Sequence, residues 1–157
     1  MELDDLYEQD FYAWAMQQAD ALRSRGRGAN ALDYDRLAEE VEDLGKSEFR
    51  EARSYTARII EHLLKLAWSQ NEDPKDGWRS EIVQFRRELR GALTATIRRK
   101  VEAELEDLHE SAAEAMELQF RRAEPGAPRD PSLRWTLPQI LGEAALPEPL
   151  AGRPEAK

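Results

Sequence analysis

Apolar side chains recur at three- and four-residue steps from Asp33 to Gln70 with no proline between them, the spacing that keeps one helical face apolar over many turns. Leu37, Val41 and Leu44 begin the stripe, and Tyr55, Ile59, Leu63 and Leu66 continue it. From Ile59 the apolar surface widens to take in Ile60, Leu64, Ala67 and Trp68, so that end needs neighbours on more than one side. Gly45 is the weak point, since glycine costs about 1 kcal/mol relative to alanine inside a helix. The helical phase nevertheless passes through it, from Leu44 by way of Glu48 and Ala52 to Tyr55. The pattern predicts a continuous or slightly bent rod capped by Asp33, with Ser47 as the alternative cap if two helices meet there.

The other segments read as elements that cover this rod. Asp5 and Glu8 stand at capping-box spacing, and Tyr7, Phe11, Trp14, Gln18 and Leu22 follow on one face, which predicts a core-facing first helix. It should end near Gly26 in a basic loop, Ser24 to Gly28. Pro74 sits in a polar turn from Asn71 to Gly77, with Asp76 placed to cap the next helix. That helix carries Trp78, Ile82, Phe85, Leu89 and Leu93, and an antiparallel return lays them against Tyr55 to Trp68. Gly91, Thr94 and Thr96 predict a break before a last long helix, which holds Ile97, Val101, Leu105, Leu108, Ala112, Ala115 and Met116 and ends near Arg122.

Every proline except Pro74 lies from Pro125 onward, so no long helix fits there. Thr136 and Gln139 predict one short capped helix near residues 136–142. Trp135, Ile140 and Leu141 would dock it, and the chain after Pro147 should fray. The expected fold class is all-α, an antiparallel bundle of four to five helices with a proline-rich C-terminal tail. Residues 1–123 form the helical bundle domain and 124–157 the tail.

Composition narrows the chemistry. The chain of 157 residues fits one domain. The absence of cysteine removes thiolate nucleophiles, disulfide frameworks and zinc knuckles. No segment approaches the roughly 20 apolar residues of a membrane span, and the acidic start lacks the pattern of a signal peptide. A cytoplasmic location without membrane association is the expectation. The net charge of −9 opposes general affinity for nucleic acid. Residues 51–100 carry 11 basic and 7 acidic side chains, whereas residues 1–50 carry 6 and 13, so only the middle offers a basic patch.

Several stretches together resemble a known family. Leu6 to Trp14, the acidic run Leu37 to Glu48, His62-Leu63-Leu64-Lys65, Trp78 and the tail from Trp135 to Leu141, in that order, are similar to the bacterial family known as domain of unknown function 29. The resemblance covers most of the chain and implies an all-helical bacterial protein. The family has no established activity, so the resemblance carries over no catalytic role. Family members often have a proline-serine-leucine stretch where this chain has Thr94-Ala95-Thr96-Ile97.

Three functional readings follow from the polar positions. The leading one is a non-enzymatic cytoplasmic helical interaction module with protein partners, a second copy of the chain among them, and no cofactor or metal. Its binding residues would be Glu39, Glu40, His62, Lys65, Arg86 and Arg90. The second is a metal-dependent or acid-base enzyme centred on His62, with Glu40, Glu39 or Asp10 as its carboxylate; Glu42 is a further candidate partner of that ring. A carboxylate-bridged di-metal bundle would need two Glu-x-x-His motifs, and Glu106 to His109 is one. The third is a nucleic-acid-associated regulator that uses Arg79, Arg86, Arg87 and Arg90. Against it stand the acidic total and the scope for these arginines to pair with Glu39 to Glu48 or Glu102 to Glu110.

Overall fold

The computed structural model describes residues 3–25, 33–147 and 150. The described residues form seven helices and no strand: α1 (Leu3–Gln9), α2 (Phe11–Ser24), α3 (Tyr34–Trp68), α4 (Lys75–Ala92), α5 (Ala95–Ala103), α6 (Leu105–Ala123) and α7 (Leu137–Leu141). The all-α expectation is met. Two compact units divide the chain, one of Met1–Ala52 with Ala92–Val101 and the other of Arg53–Gly91 with Glu102–Lys157.

In the first unit the expected single N-terminal helix is two. Asp5 lies inside α1 rather than at its cap. The capping carboxylate is Asp10, which leaves helical geometry at φ −148° and accepts the Ala13 N–H at 3.0 Å. The buried face of α2 also differs from the aromatic face anticipated, because it consists of Ala15 and Ala19. A Cβ added at Gly45 would lie 3.0 Å from the Ala15 Cβ, so the seam between α2 and α3 is too tight for rings. Tyr7, Phe11 and Trp14 pack on one another instead, with centroids 4.9–5.6 Å apart.

Helix α3 passes Gly45 without a break, and Asp33 caps it by accepting the Arg36 N–H at 3.1 Å. Its buried positions in this unit are Ala38, Gly45 and Ala52. Leu37 and Leu44, expected in the core, are 41% and 57% exposed. Lys100 of α5 closes the unit from another side, its ammonium 5.4 Å from the Tyr12 ring centroid and 4.9 Å from that of Phe49. Of the expected basic loop, Gly26 to Gly28 lie outside the described residues, as do 148–149 and 151–157 of the fraying tail.

The second unit holds the larger apolar core, with Ile59, Ile60, Leu63, Leu64 and Trp68 of α3, Ile82 and Leu89 of α4, and Met116 and Phe120 of α6. Tyr55 meets Phe85 at 6.3 Å and Lys65 meets Trp78 at 6.0 Å between ring centroids or from ammonium to ring, the crossed order of an antiparallel return. Helix α4 begins at Lys75, with Asp76 in its first turn rather than at its cap. The expected last long helix is also divided, since Glu104 adopts φ −95° and ψ 3° between α5 and α6. The apolar stripe resumes in step after this one-residue kink, so periodicity does not register it. Ala115, placed on that stripe from its spacing, is exposed.

The short tail helix forms as expected. Thr136 and Gln139 close a full capping box around the N-terminus of α7, and Gly142 ends it at φ 76°. Trp135, Leu137, Ile140 and Leu141 are all buried.

Candidate functional site

His62 is buried on α3, in the second unit. Its Nδ1 stands 2.8 Å from the Arg58 carbonyl oxygen and its Nε2 stands 2.6 Å from a Glu81 carboxylate oxygen on α4. The ring also lies edge-on to Phe85 at 5.4 Å. Both nitrogens face oxygen acceptors, so neither lone pair is directed at a substrate or a metal, as a general base or ligand requires. Lys65, proposed beside it, lies over the Trp78 ring at 6.0 Å. Among the described residues no three histidine or carboxylate side chains gather where they could hold a metal ion.

Two of the expected partners of His62, Glu42 and Asp10, are occupied elsewhere. Glu39 and Glu40 belong to the first unit, and both are exposed. Glu42 pairs with Lys46 at 2.5 Å and with Arg23. Those two cations, Lys46 first, lower its pKa to about 2. The buried Asp10 carboxylate caps two helices at once, because its second oxygen accepts the Thr96 N–H at the start of α5 at 2.9 Å. Burial acts to raise the Asp10 pKa, but the Ala13 and Thr96 N–H groups and the Thr96 and Thr94 hydroxyls outweigh it and hold the carboxyl below its ordinary value. Asp10 is thus a structural anion at two helix N-termini.

The arginine face of α4 serves the tail. Arg86 donates from Nε to the Ile140 carbonyl at 2.8 Å and from Nη2 to the Gln139 carbonyl at 3.0 Å, and Arg90 donates to the Leu141 carbonyl. These carbonyls stand at the C-terminus of α7, where cations are favoured, and that of Gln139 also accepts the Gly142 N–H at 3.1 Å. Burial, with the charge of Arg90 second, lowers the pKa of Arg86. For Arg86 and Arg90 these carbonyls, rather than the acidic runs proposed, are the partners. Arg79 pairs with Asp76 at 2.9 Å.

His109 was visible in the sequence only as the end of a Glu-x-x-His motif, yet it anchors the tail. Its Nδ1 donates to the Leu105 carbonyl at 2.7 Å, so Nε2 is free to accept the Trp135 N–H at 3.0 Å. Burial, set against the Leu105 hydrogen bond, lowers its pKa and keeps the ring neutral. A hollow of about 240 Å³ borders it, lined in part by Glu106 and Arg134. Those two pair with each other at 2.7 Å, and Arg134 also donates to the Pro131 and Leu133 carbonyls. The polar groups of this hollow are therefore satisfied within the chain. The apolar phase through Leu105, Leu108 and Ala112 puts position 109 on the buried face, which is the signal that could have found it.

Among the described residues, the first half of α3 carries an exposed apolar stripe. Leu37, Val41 and Leu44 share one face, Leu37 and Leu44 are exposed and Val41 is half-buried. The exposed carboxylates of Glu40 and Asp43, three residues apart, run along one edge of this stripe. Glu39 projects from the opposite side of the helix, about 200° around from Leu37.

A family model described as a domain of unknown function, DUF29, matches residues 6–145. An alpha-helical protein of unknown function from Rhodospirillum rubrum, solved by crystallography, is 28% identical, with 87% of this chain and 89% of that chain covered and a TM-score of 0.73. No curated protein matches the chain. Among the described residues no helix is long and apolar enough to cross a membrane.

Proposed function

For a chain that belongs to the DUF29 family, a domain of unknown function, we propose the role of a non-enzymatic helical interaction module that binds protein partners in the cytoplasm. The observation that carries this reading is the open Leu37–Val41–Leu44 stripe on α3. A seam of apolar residues four and three apart is what a second helix packs against. Acid-base chemistry finds no support, because His62 has both ring nitrogens engaged. Nucleic-acid binding through α4 loses two of its four arginines to the α7 carbonyls.

The test is affinity capture from lysate of the native host, with the wild type beside a Leu37→Asp, Leu44→Asp variant, followed by reconstitution of any captured partner from purified components. Both leucines are exposed, so the variant should fold, which circular dichroism would verify. A protein that binds the wild type directly and loses affinity for the variant is the expected result. Partners retained equally by both would overturn the assignment of the face.

A further inference from the structure

We infer that the occupant of the α3 stripe is a basic amphipathic helix of a partner protein, a deepening that rests on the interaction-module reading above. The geometry of the stripe selects a helix. Leu37, Val41 and Leu44 follow the i, i+4, i+7 pattern of one seam, and Leu37 and Leu44 are 41% and 57% exposed. A partner presenting apolar residues every three to four positions would seat its side chains between them.

The charge around the stripe selects the sign. Glu40 and Asp43 are exposed along one edge, and Glu48 stands in line with the stripe at its far end. Lys46 is held by Glu42 at 2.5 Å on the far side of the helix; Arg36, which reaches Asp33 at 3.9 Å, and the exposed Arg50 share the edge with Glu40 and Asp43, and Asp33 and Glu48 add to the acidic side. Residues 1–50 carry 13 acidic against 6 basic side chains, so the surrounding field attracts cations over a longer range. A second copy of this chain would bring the same acidic surface to the interface, and like charges there disfavour it. Lysine or arginine flanking an apolar stripe meets both requirements at once.

The probe is a synthetic helical peptide of about 20 residues, long enough to hold helical structure, with leucines at heptad seam positions and lysines beside them. Two controls accompany it: the same composition with the leucines scattered around the helix, and the seam peptide with glutamate in place of lysine. Binding to the full chain is read by fluorescence anisotropy at low and at physiological salt.

Saturable binding of the basic seam peptide should weaken about fivefold or more with Leu37→Ser, Leu44→Ser, as hot-spot truncations do. It should also weaken with Glu40→Gln, Asp43→Asn and at higher salt. Equal binding of the scattered peptide would reduce the effect to bulk charge, and equal binding of the glutamate peptide would remove the electrostatic half; either overturns the inference. So does dimerisation of the chain in light scattering that the leucine variant abolishes. No peptide binding, together with a host partner that still requires the two leucines, refutes the basic-helix identity while leaving the interaction module standing.

Discussion

Replacing Asp10 by alanine removes one carboxylate from two helix N-termini. The Ala13 N–H loses its acceptor at 3.0 Å and the Thr96 N–H loses its acceptor at 2.9 Å. An N-cap substitution costs about 1 kcal/mol, and stranding a second donor in a buried site costs about 1–3 kcal/mol more. The sum, about 2–4 kcal/mol, is a large share of the roughly 5–15 kcal/mol that holds a domain folded. Asp10→Asn keeps one acceptor oxygen but turns an amide N–H₂ toward the other donor, so it should cost somewhat less. The pH dependence separates the charge from the packing. Because the folded carboxyl titrates below its ordinary value of 3.8, its contribution is present in full above that value and is lost as pH falls through the folded one. Urea unfolding followed by far-UV circular dichroism, together with Trp14 fluorescence in the same unit, gives the cost at neutral pH and again near pH 3. A cost under about 0.5 kcal/mol at neutral pH, within the range of ordinary surface changes, would refute the double cap. So would a cost that does not shrink in acid.

Three further perturbations probe other joints. Gly45→Val places branched carbon where a Cβ already meets Ala15 at 3.0 Å; overpacking should outweigh any gain in helix propensity and cost about 1–3 kcal/mol in denaturant melts. Gly142→Ala combines a left-handed φ of 76° with a Cβ 3.2 Å from the Arg86 guanidinium carbon. It should cost about 1–2 kcal/mol, and a double-mutant cycle with Arg86→Ala should be non-additive because the two share that contact. His109 titrates below 6.5 when folded, so the unfolded chain binds its proton first. Stability from this residue should be full above 6.5 and decline as pH falls toward the folded value, a slope that His109→Gln abolishes in pH-dependent melts.

Much of the second unit was legible because its apolar residues follow helical spacing strictly. The widening face at Ile59 to Trp68 did require neighbours on several sides, and Thr136 with Gln139 did form a capping box. The first unit was harder to read for a physical reason. Apart from Ile97 and Val101, its buried apolar positions are alanines and a glycine, which carry little hydrophobic signal, while the larger Leu37, Leu44 and Tyr7 remain on the outside. A reading that ranks positions by side-chain size therefore placed the buried face of α3 roughly 80° around the helix from where it lies, at about 100° per residue. Asp10 was hidden because the aromatic phase of Tyr7, Phe11 and Trp14 runs straight across the break it makes. The pairing of His62 with Glu81 spans 19 residues of sequence, and no local spacing announces such a contact.

The central claim is that the first half of α3 is a binding face and the His62 surface is not. Hydrogen exchange of the purified chain, alone and saturated with a partner recovered by the capture experiment, tests it most directly. The account predicts slowed amide exchange on binding within residues 34–51 and little change in residues 58–81. Protection centred on the segments carrying His62 and Glu81, with residues 34–51 unaffected, would contradict it.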